Sequence, residues 1–417
     1  MPETVKIEKL VHGGQGLGVL DDGRKVFVWG VLPGELISVR LTRKKKDYAE
    51  GICEEIIQPA PERIKPKEQN YLSTSPWQIM DFITENYWKK AITLELFQQA
   101  GMLLPDFEVT HDETIYGYRN KMEYSFWGDS DGLHLALYNR GSHQKQIVQG
   151  SALSMPALDK TAQLVLEELN NSDVRAGDLK TLIVRCSQNG RTMVSLFVKK
   201  TDLPRLELPT GVQGLRVYFS NPKSPASVPT NLLYELGEPY LTDRLLDKHF
   251  VYDSDSFFQV NVPVFELALK RMKELFISQD LVDMYAGVGA IGISLAKKTV
   301  NLIELDSATA KMAQLNAKNS KLKASVIQTS SEQALEYIVA VRPVIFDPPR
   351  AGLHAKIINR LLEALPPQII YLSCNPATQA RDLALLGNAY KLSHFEVFNF
   401  FPRTPHIESL AILQSSK

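Results

Sequence analysis

A mixed α/β architecture is what this sequence predicts, with a doubly wound, largely parallel sheet at the C-terminal end, a small β-barrel at the start and a β-rich middle. Three observations carry that expectation. From about residue 251 short apolar segments alternate with helical ones, as in a sheet covered by helices on both faces. Within that region "VDMYAGVGAIG" sets Gly287, Gly289 and Gly292 in GxGxxG spacing, directly after an apolar segment and opening a helical one. The first 58 residues break into five short alternating segments separated by Gly, Asp-Asp-Gly and Pro-Gly turns. At 417 residues the chain is too long for one ordinary core, so two or three domains are expected.

The first domain, 1–58, reads as strands "TVKIEKLV", "GLGVL", "KVFVWG" and the two halves of "ELISVRLTRKKKDYAEGICEEII". Five such strands suit a closed barrel of the OB type, whose surface commonly carries oligonucleotides. Arg40, Arg43, Lys44, Lys45, Lys46 and Tyr48 would give one edge positive charge, or simply form a solvated basic hairpin. "QPAPERIKPKE" reads as the linker that follows. The middle region, 69–250, opens with a helix at about 82–100 that could pack on the C-terminal domain. It continues with "YGYRNKMEYSFWGDSDGLHLALYN", where Arg119 and Lys121 alternate with Tyr118, Tyr124, Phe126 and Trp127. Cations interleaved with rings suit single-stranded nucleic acid, although an ordinary sheet with one aromatic face has the same spacing. "TLIVRCSQNGRTMVSLFVKK" is a hairpin on an Asn-Gly turn, with Cys186 inside its first strand as a small core residue, like Cys53 in the barrel.

The third region, 251–417, alternates strands "QDLVDMYAG", "VNLIELD", "KASVIQT", "PVIFDPPR" and "QIIYLSCN" with helices "AIGISLAKK", "ATAKMAQLNAKNS", "SEQALEYI", "AKIINRLLEAL" and "ATQARDLALL", and ends on "LSHFEVFNFFP" and "HIESLAILQ". No stretch reaches membrane-spanning length, and "MPETVKIEKLVHGG" lacks the apolar run of a secretory signal. Three scattered cysteines build neither a disulfide framework nor a four-thiolate metal site, and they fit a reducing cytoplasm. With zero net charge, any nucleic-acid surface must be a local patch.

The chemistry is written at the strand ends. Glycines 287 and 289 let the backbone approach a nucleoside, and Glu304 at the end of the next strand is placed for ribose hydroxyls. That geometry serves both NAD enzymes and S-adenosylmethionine-dependent methyltransferases. "IFDPPRAGL" separates the two: its rigid, donor-poor turn has no evident use in hydride transfer, whereas a methyltransferase needs a wall that holds a planar base against the methyl group. At the following strand end stands Cys374, in "YLSCNPATQARDL". C5 of a pyrimidine becomes nucleophilic once a thiolate adds to C6, and a base must afterwards remove the C5 proton so that the thiol can leave. "FFPRTPHIESLAILQ" offers Glu408 for that proton, with His406 as the competing candidate.

These motifs together resemble the RNA uracil-5-methyltransferase family over nearly the whole chain: an N-terminal TRAM-type barrel, "YGYRNKMEYSF", "SDSFFQVN", "VDMYAGVGAIG", "LIELD", "IFDPPRAGL", "YLSCNPATQARDL" and "FPRTPHIE". The resemblance implies a Rossmann-like S-adenosylmethionine domain, Cys374 as nucleophile and Glu408 as proton acceptor. It implies cofactor contacts from Gln259, Tyr285, Gly287, Gly289, Glu304 and Asp347, and RNA contacts from Arg119, Lys121 and Arg350. The expected product is 5-methyluridine in RNA, made by a cytoplasmic monomer; ribosomal RNA is favoured over transfer RNA because the barrel is commoner among the ribosomal members. One departure stands out. Many members hold an iron–sulfur cluster, but here Leu72 and Ser75 stand where thiolates would be and "QGSAL" has no Cys, so no cluster and no metal is expected. The rivals are an NAD oxidoreductase, a cytosine-5 RNA methyltransferase and a non-enzymatic RNA-binding protein.

Overall fold

The computed structural model describes residues 2–140, 144–224 and 227–416. Strands β1 (Glu3–Leu10), β2 (Gly16–Val19), β3 (Lys25–Trp29), β4 (Leu36–Lys44) and β5 (Tyr48–Gln58) close into a barrel in the order β1-β2-β3-β5-β4. Alternation along each strand turns Val5, Ile7, Val26, Val28, Ile37 and Val39 inward as its core. Cys53 is only half-buried against this core. The basic edge is weaker than its composition suggests, because Arg40 pairs with Glu54 at 2.6 Å and Arg43 with Glu50 at 3.5 Å. The proline-rich segment after β5 is a bound strap and not a free tether: Arg63 Nη2 donates to the buried Glu35 carboxylate at 2.8 Å and Ile64 N donates to Ile79 O at 2.8 Å.

A short turn α1 (Tyr71–Thr74) leads to α2 (Phe82–Gln99), which begins where Asp81 accepts a hydrogen bond from Thr84 N at 2.7 Å. Ile92 and Phe97 on its buried face join the cluster that contains Leu383 and Phe395 of the C-terminal region, so α2 packs on the last domain. The short strand β6 (Val109–Thr110) then pairs into the C-terminal sheet. The middle sheet comprises β7 (Lys121–Asp129), β8 (Gly132–Tyr138), β9 (Lys145–Ile147), β10 (Leu179–Cys186), β11 (Thr192–Val198), β12 (Val212–Phe219) and β13 (Asn231–Gly237), in the order β13-β12-β11-β10-β7-β8-β9, with α3 (Pro156–Asn170) on one face. Here the aromatic expectation fails. Tyr118, Tyr124 and Phe126 are buried, and of the four rings only Trp127, 46% exposed, reaches solvent. The period-2 pattern that suggested stacking platforms is that of a sheet with one face in the core.

A hairpin, β14 (Tyr240–Leu245) and β15 (Lys248–Asp253), places Leu241, Leu245, Phe250 and Tyr252 in the core of the C-terminal domain. That domain contains α4 (Val262–Leu275), β16 (Asp280–Asp283), α5 (Ala290–Leu295), β17 (Thr299–Glu304), α6 (Ser307–Asn319), β18 (Lys323–Gln328), β19 (Val344–Phe346), α7 (Ala355–Ala364), β20 (Gln368–Ser373), α8 (Pro376–Leu386), β21 (Tyr390–Phe398) and β22 (Glu408–Ser415). Its eight-stranded sheet runs β18-β17-β16-β19-β20-β22-β21-β6, parallel as far as β20, with β22 antiparallel to both neighbours. The helix read in "SEQALEYI" is instead two 3₁₀ turns, Ser331–Gln333 and Leu335–Tyr337. Its first residue is held by a hydrogen bond from Ser331 Oγ to Met284 O, and burial of Ala334 and Ile338 draws the short segment onto the sheet.

Candidate active site

The two carboxyl candidates and the thiol stand at three neighbouring strand ends. β20 and β22 run antiparallel to a last recorded pair, Ser373 with Ser409, so the next residue on each side, Cys374 and Glu408, meet at the rim. β19, on the other side of β20, ends one residue before Asp347. Burial, with the charges of Glu408 and Asp347 beside it, pushes the Cys374 thiol up to about 11, and Arg350 acts in the opposite sense. Burial and then the Asp347 charge hold Glu408 well above the usual carboxylate range. Glu408 is 3% exposed, and its Oε2 is buried without a hydrogen-bond partner among the described residues. A buried carboxyl oxygen with no protein partner beside a half-buried thiol can take a proton from something that enters the site.

The sequence around Cys374 explains how the loop is held. Asn375, Thr378 and Asp382 share one face of α8 by their 3–4 residue spacing. Asn375 caps the helix by accepting from Ala377 N at 3.2 Å, and its Nδ2 donates to Arg350 O at 2.9 Å. Thr378 Oγ1 donates to the same carbonyl at 3.3 Å, and Asp382 Oδ2 accepts from Leu353 N at 2.7 Å and Tyr371 OH at 2.8 Å. The Asp-Pro-Pro-Arg turn is thus bolted to the helix that follows Cys374. On the other side Gln379 Nε2 donates to Tyr371 O and Ser409 O at 2.8 and 3.1 Å, tying β20 to β22 next to Glu408.

Beside these groups lies a cleft lined by Phe257, Phe258, Gln259, Tyr285, Gly287 and Asp347. Gly287 has φ +55° and open space where a Cβ would stand, so its backbone is free to meet a ligand. Glu304 is fixed by Gly287 N at 2.9 Å and Asp306 N at 2.8 Å. Asp283, buried at the end of β16, accepts from Gly292 N at 2.9 Å and keeps Oδ1 unpartnered; burial pushes its carboxyl up to about 7. Asp347 is likewise pushed up to about 7 by burial and by Asp283. A glycine cradle, a strand-end acid and an aromatic wall fit an adenosine bearing an amino-acid tail.

The mouth is cationic. Burial of its inner face, together with Arg350, Lys89, Arg119 and Arg140, pushes His406 down to about 3, although its outer edge is exposed. Those neighbours disfavour the imidazolium form of His406. The barrel reaches this mouth as well. His12 lies near Arg350 and Asn375, Trp77 Nε1 donates to Gly14 O at 3.1 Å, and a Cβ on Gly14 would stand 2.4 Å from Pro405.

Residues 233–416 match the tRNA (Uracil-5-)-methyltransferase family and residues 3–53 the TRAM domain family. A crystal structure of the tRNA (uracil-54, C5)-methyltransferase of Pyrococcus abyssi in complex with S-adenosyl-L-homocysteine superposes with a TM-score of 0.80 at 25% identity, over 99% of this chain and 100% of that one. The chain is an RNA methyltransferase whose residues 233–416 form a (uracil-5-)-methyltransferase family domain, with a TRAM domain at 3–53. Two curated relatives named as uncharacterized RNA methyltransferases agree. The one from Thermosynechococcus vestitus is 28% identical over 99% of this chain and 98% of its own. The one from Thermotoga maritima is 26% identical over 99% of each.

In this methyltransferase the structure brings together Cys374, Glu408, Asp347 and Arg350 as one group and Gln259, Tyr285, Gly287 and Asp347 as the adjoining cleft. Gly289, with φ +86°, caps α5 and packs toward Ile293 and Leu302, so it shapes the turn without lining the cleft. Arg119 stands close enough to His406 to depress it, whereas Lys121 faces Arg185 on the neighbouring strand. Sequence reading missed Asp283, Lys89 and His12. The Asp of "VDMYAG" was a usable signal for the first; the other two arrive from more than 300 residues away in sequence. Among the described residues no three His, Cys, Asp or Glu side chains are grouped to hold a metal. Around Ser75 a carboxylate gathers the chain instead: Glu68 accepts from Ser75 Oγ at 3.2 Å, Gln78 Nε2 at 2.9 Å and Ala152 N at 2.8 Å.

Proposed function

We propose that the enzyme makes 5-methyluridine in RNA, with Cys374 as nucleophile and Glu408 as proton acceptor. The observation that carries this is the pairing of β20 with β22, which faces the Cys374 thiol with a buried carboxyl that keeps one oxygen unpartnered. S-adenosylmethionine, held by Gln259, Tyr285, Gly287, Glu304 and Asp347, supplies the methyl group on a sulfonium whose positive charge favours ionisation of both groups. Its fit is supported by the glycine cradle and by the S-adenosyl-L-homocysteine in the Pyrococcus abyssi enzyme, which shares the whole architecture.

Cys374 Sγ adds to C6 of the uracil, and the electron pair released toward C5 takes up the methyl group. Glu408 Oε2 then removes the C5 proton, the C5–C6 double bond re-forms, and the C6–S bond breaks with its electron pair returning to sulfur. Arg350 opposes the negative charge that accumulates while the thiolate forms. A paired uridine must leave its stack to reach this rim, with Arg119, Lys121 and Arg350 steadying the backbone. We assign residues 1–58 and the middle region to that grip and 251–417 to the chemistry.

A barrel at the N-terminus no longer argues for ribosomal over transfer RNA, because a transfer-RNA enzyme superposes along its full length. Deleting the gene and mapping 5-methyluridine in all stable RNAs tests the proposal. Loss at one site in ribosomal or transfer RNA names the substrate. No loss anywhere refutes the activity, and appearance of the defect at a 5-methylcytidine would move the enzyme to cytosine chemistry.

A further inference from the structure

β7 and β10 pair so that Lys121 stands directly opposite Arg185, two cations side by side on one face of an antiparallel sheet. Like charges in that position destabilise a sheet, and here the cost is raised by burial. Arg185 is 3% exposed and its guanidinium lies over the Tyr252 ring at 5.8 Å, yet of its nitrogens only Nη2 has a hydrogen-bond acceptor, Ser256 O at 2.6 Å; Nε and Nη1 are buried without hydrogen-bond partners among the described residues. Lys121 makes no ion pair among the described residues, and burial together with Arg185 depresses its ammonium to about 8.

The buried acids nearby are already committed, and Glu123 is exposed. Arg216 Nη1 takes Asp253 at 3.0 Å and Asp255 at 3.1 Å, and Ser256 N and Oγ take the other Asp253 oxygen at 2.8 and 2.6 Å. Glu123 on β7 and Asp255 offset the Lys121 charge only from a distance. Between the two cations and the cofactor cleft lies Asn120, 2% exposed, whose Nδ2 donates to Gln259 O at 2.9 Å. Arg119 adds a third cation, its Nε donating to Lys121 O at 2.9 Å. A protein that buries an arginine beside a half-buried lysine and commits the buried carboxylates around them elsewhere has left a place for an anion from outside.

We propose that Arg185 and Lys121 form a seat for one oxyanion, either a backbone phosphate next to the target uridine or the carboxylate at the amino-acid end of the cofactor. The proposal rests on the uridine-methyltransferase function and adds Arg185 to its binding machinery. Two full-length variants, Lys121→Met and Arg185→Lys, test it. In the ligand-free protein Lys121→Met removes the repulsion and raises Tm by about one degree, the opposite of what loss of a structural contact would do. With a labelled 20-nucleotide oligouridine, a phosphate seat requires the slope of log Kd against log salt to fall by about 0.7 in Lys121→Met, and Arg185→Lys to weaken binding.

The carboxylate source is read by calorimetry. S-adenosyl-L-homocysteine would then bind about tenfold more weakly to both variants, while 5′-methylthioadenosine, which lacks the carboxylate, binds as before. A change in either arm supports the seat and names its occupant. Unchanged binding in both arms by both folded variants, or a lowered Tm for Lys121→Met with binding intact, overturns it. Wild-type protein that bound neither oligouridine nor S-adenosyl-L-homocysteine would refute the methyltransferase function and the seat together.

Discussion

Cys374 sits in a setting that keeps it protonated until substrate arrives, since burial and two neighbouring carboxyls push its thiol up to about 11. Its reactivity is therefore conditional, which guards a half-exposed sulfur against idle oxidation. On RNA containing 5-fluorouracil the fluorine cannot leave as a proton does, so wild-type protein should give an adduct that survives a denaturing gel, and Cys374→Ala none. Glu408 makes a separate prediction through stability. Its folded carboxyl is raised above 4.5, so the stability it contributes is complete below pH of about 4.5 and is lost as pH rises through the folded value. Glu408→Gln does not titrate. The Tm difference between Glu408→Gln and wild type should therefore grow in favour of the variant from pH 5 to pH 8, while turnover is lost; a flat difference would contradict a buried, neutral Glu408. The sequence singled out both residues because each sits at a strand end in a dense local pattern. The unpartnered Oε2 was not legible there, because it depends on what fails to pack against it.

At the scale of elements, α8 does two jobs with one face. Asn375, Thr378 and Asp382 hold the Asp-Pro-Pro-Arg turn, and Gln379 holds β22. Asp382→Ala strips Leu353 N and Tyr371 OH of their acceptor, which costs about 1–3 kcal/mol for each buried group left unsatisfied. Urea unfolding should show that loss, and activity should fall further than stability because the turn beside the active site is freed. The alternation of strands and helices that announced this domain was read for α5, α6, α7 and α8, whereas α4, 14 residues long with one buried face, went unread. It failed at 331–338, where two buried residues in a short segment look like a helix but are too few to hold one. α2 was placed in the middle region by sequence order, yet its fully buried Lys89 reaches Asn399 Oδ1 at 2.6 Å and Phe401 O at 3.1 Å, bracing the loop that leads to Glu408. That the helix could pack on the C-terminal domain was expected from the sequence; that Lys89 would bond to residues 310 and 312 positions away was not.

Across the whole molecule the barrel docks against the candidate site. Gly14 carries φ +99° and meets Pro405 so closely that any side chain must push the two apart. Gly14→Val should undock the barrel, seen as faster proteolytic cleavage in the 59–68 strap, and should reduce turnover even on saturating RNA. Deleting residues 1–58 should go further, lowering RNA affinity and flattening its salt dependence. The separate existence of the barrel could be read from its turns; its docking could not, because a glycine that allows close approach looks in sequence like any other turn glycine.

The two-residue strand Val109–Thr110 lies in parallel register beside Val397 and Phe398 at the far edge of the C-terminal sheet, with Asn399 N donating to Thr110 O at 2.8 Å. During synthesis that segment has no companion until Val397 and Phe398 have been made. The sheet is thus sealed by pieces far apart in the chain, so a product terminated before β21 would expose an open edge of backbone amides to chaperones and proteases.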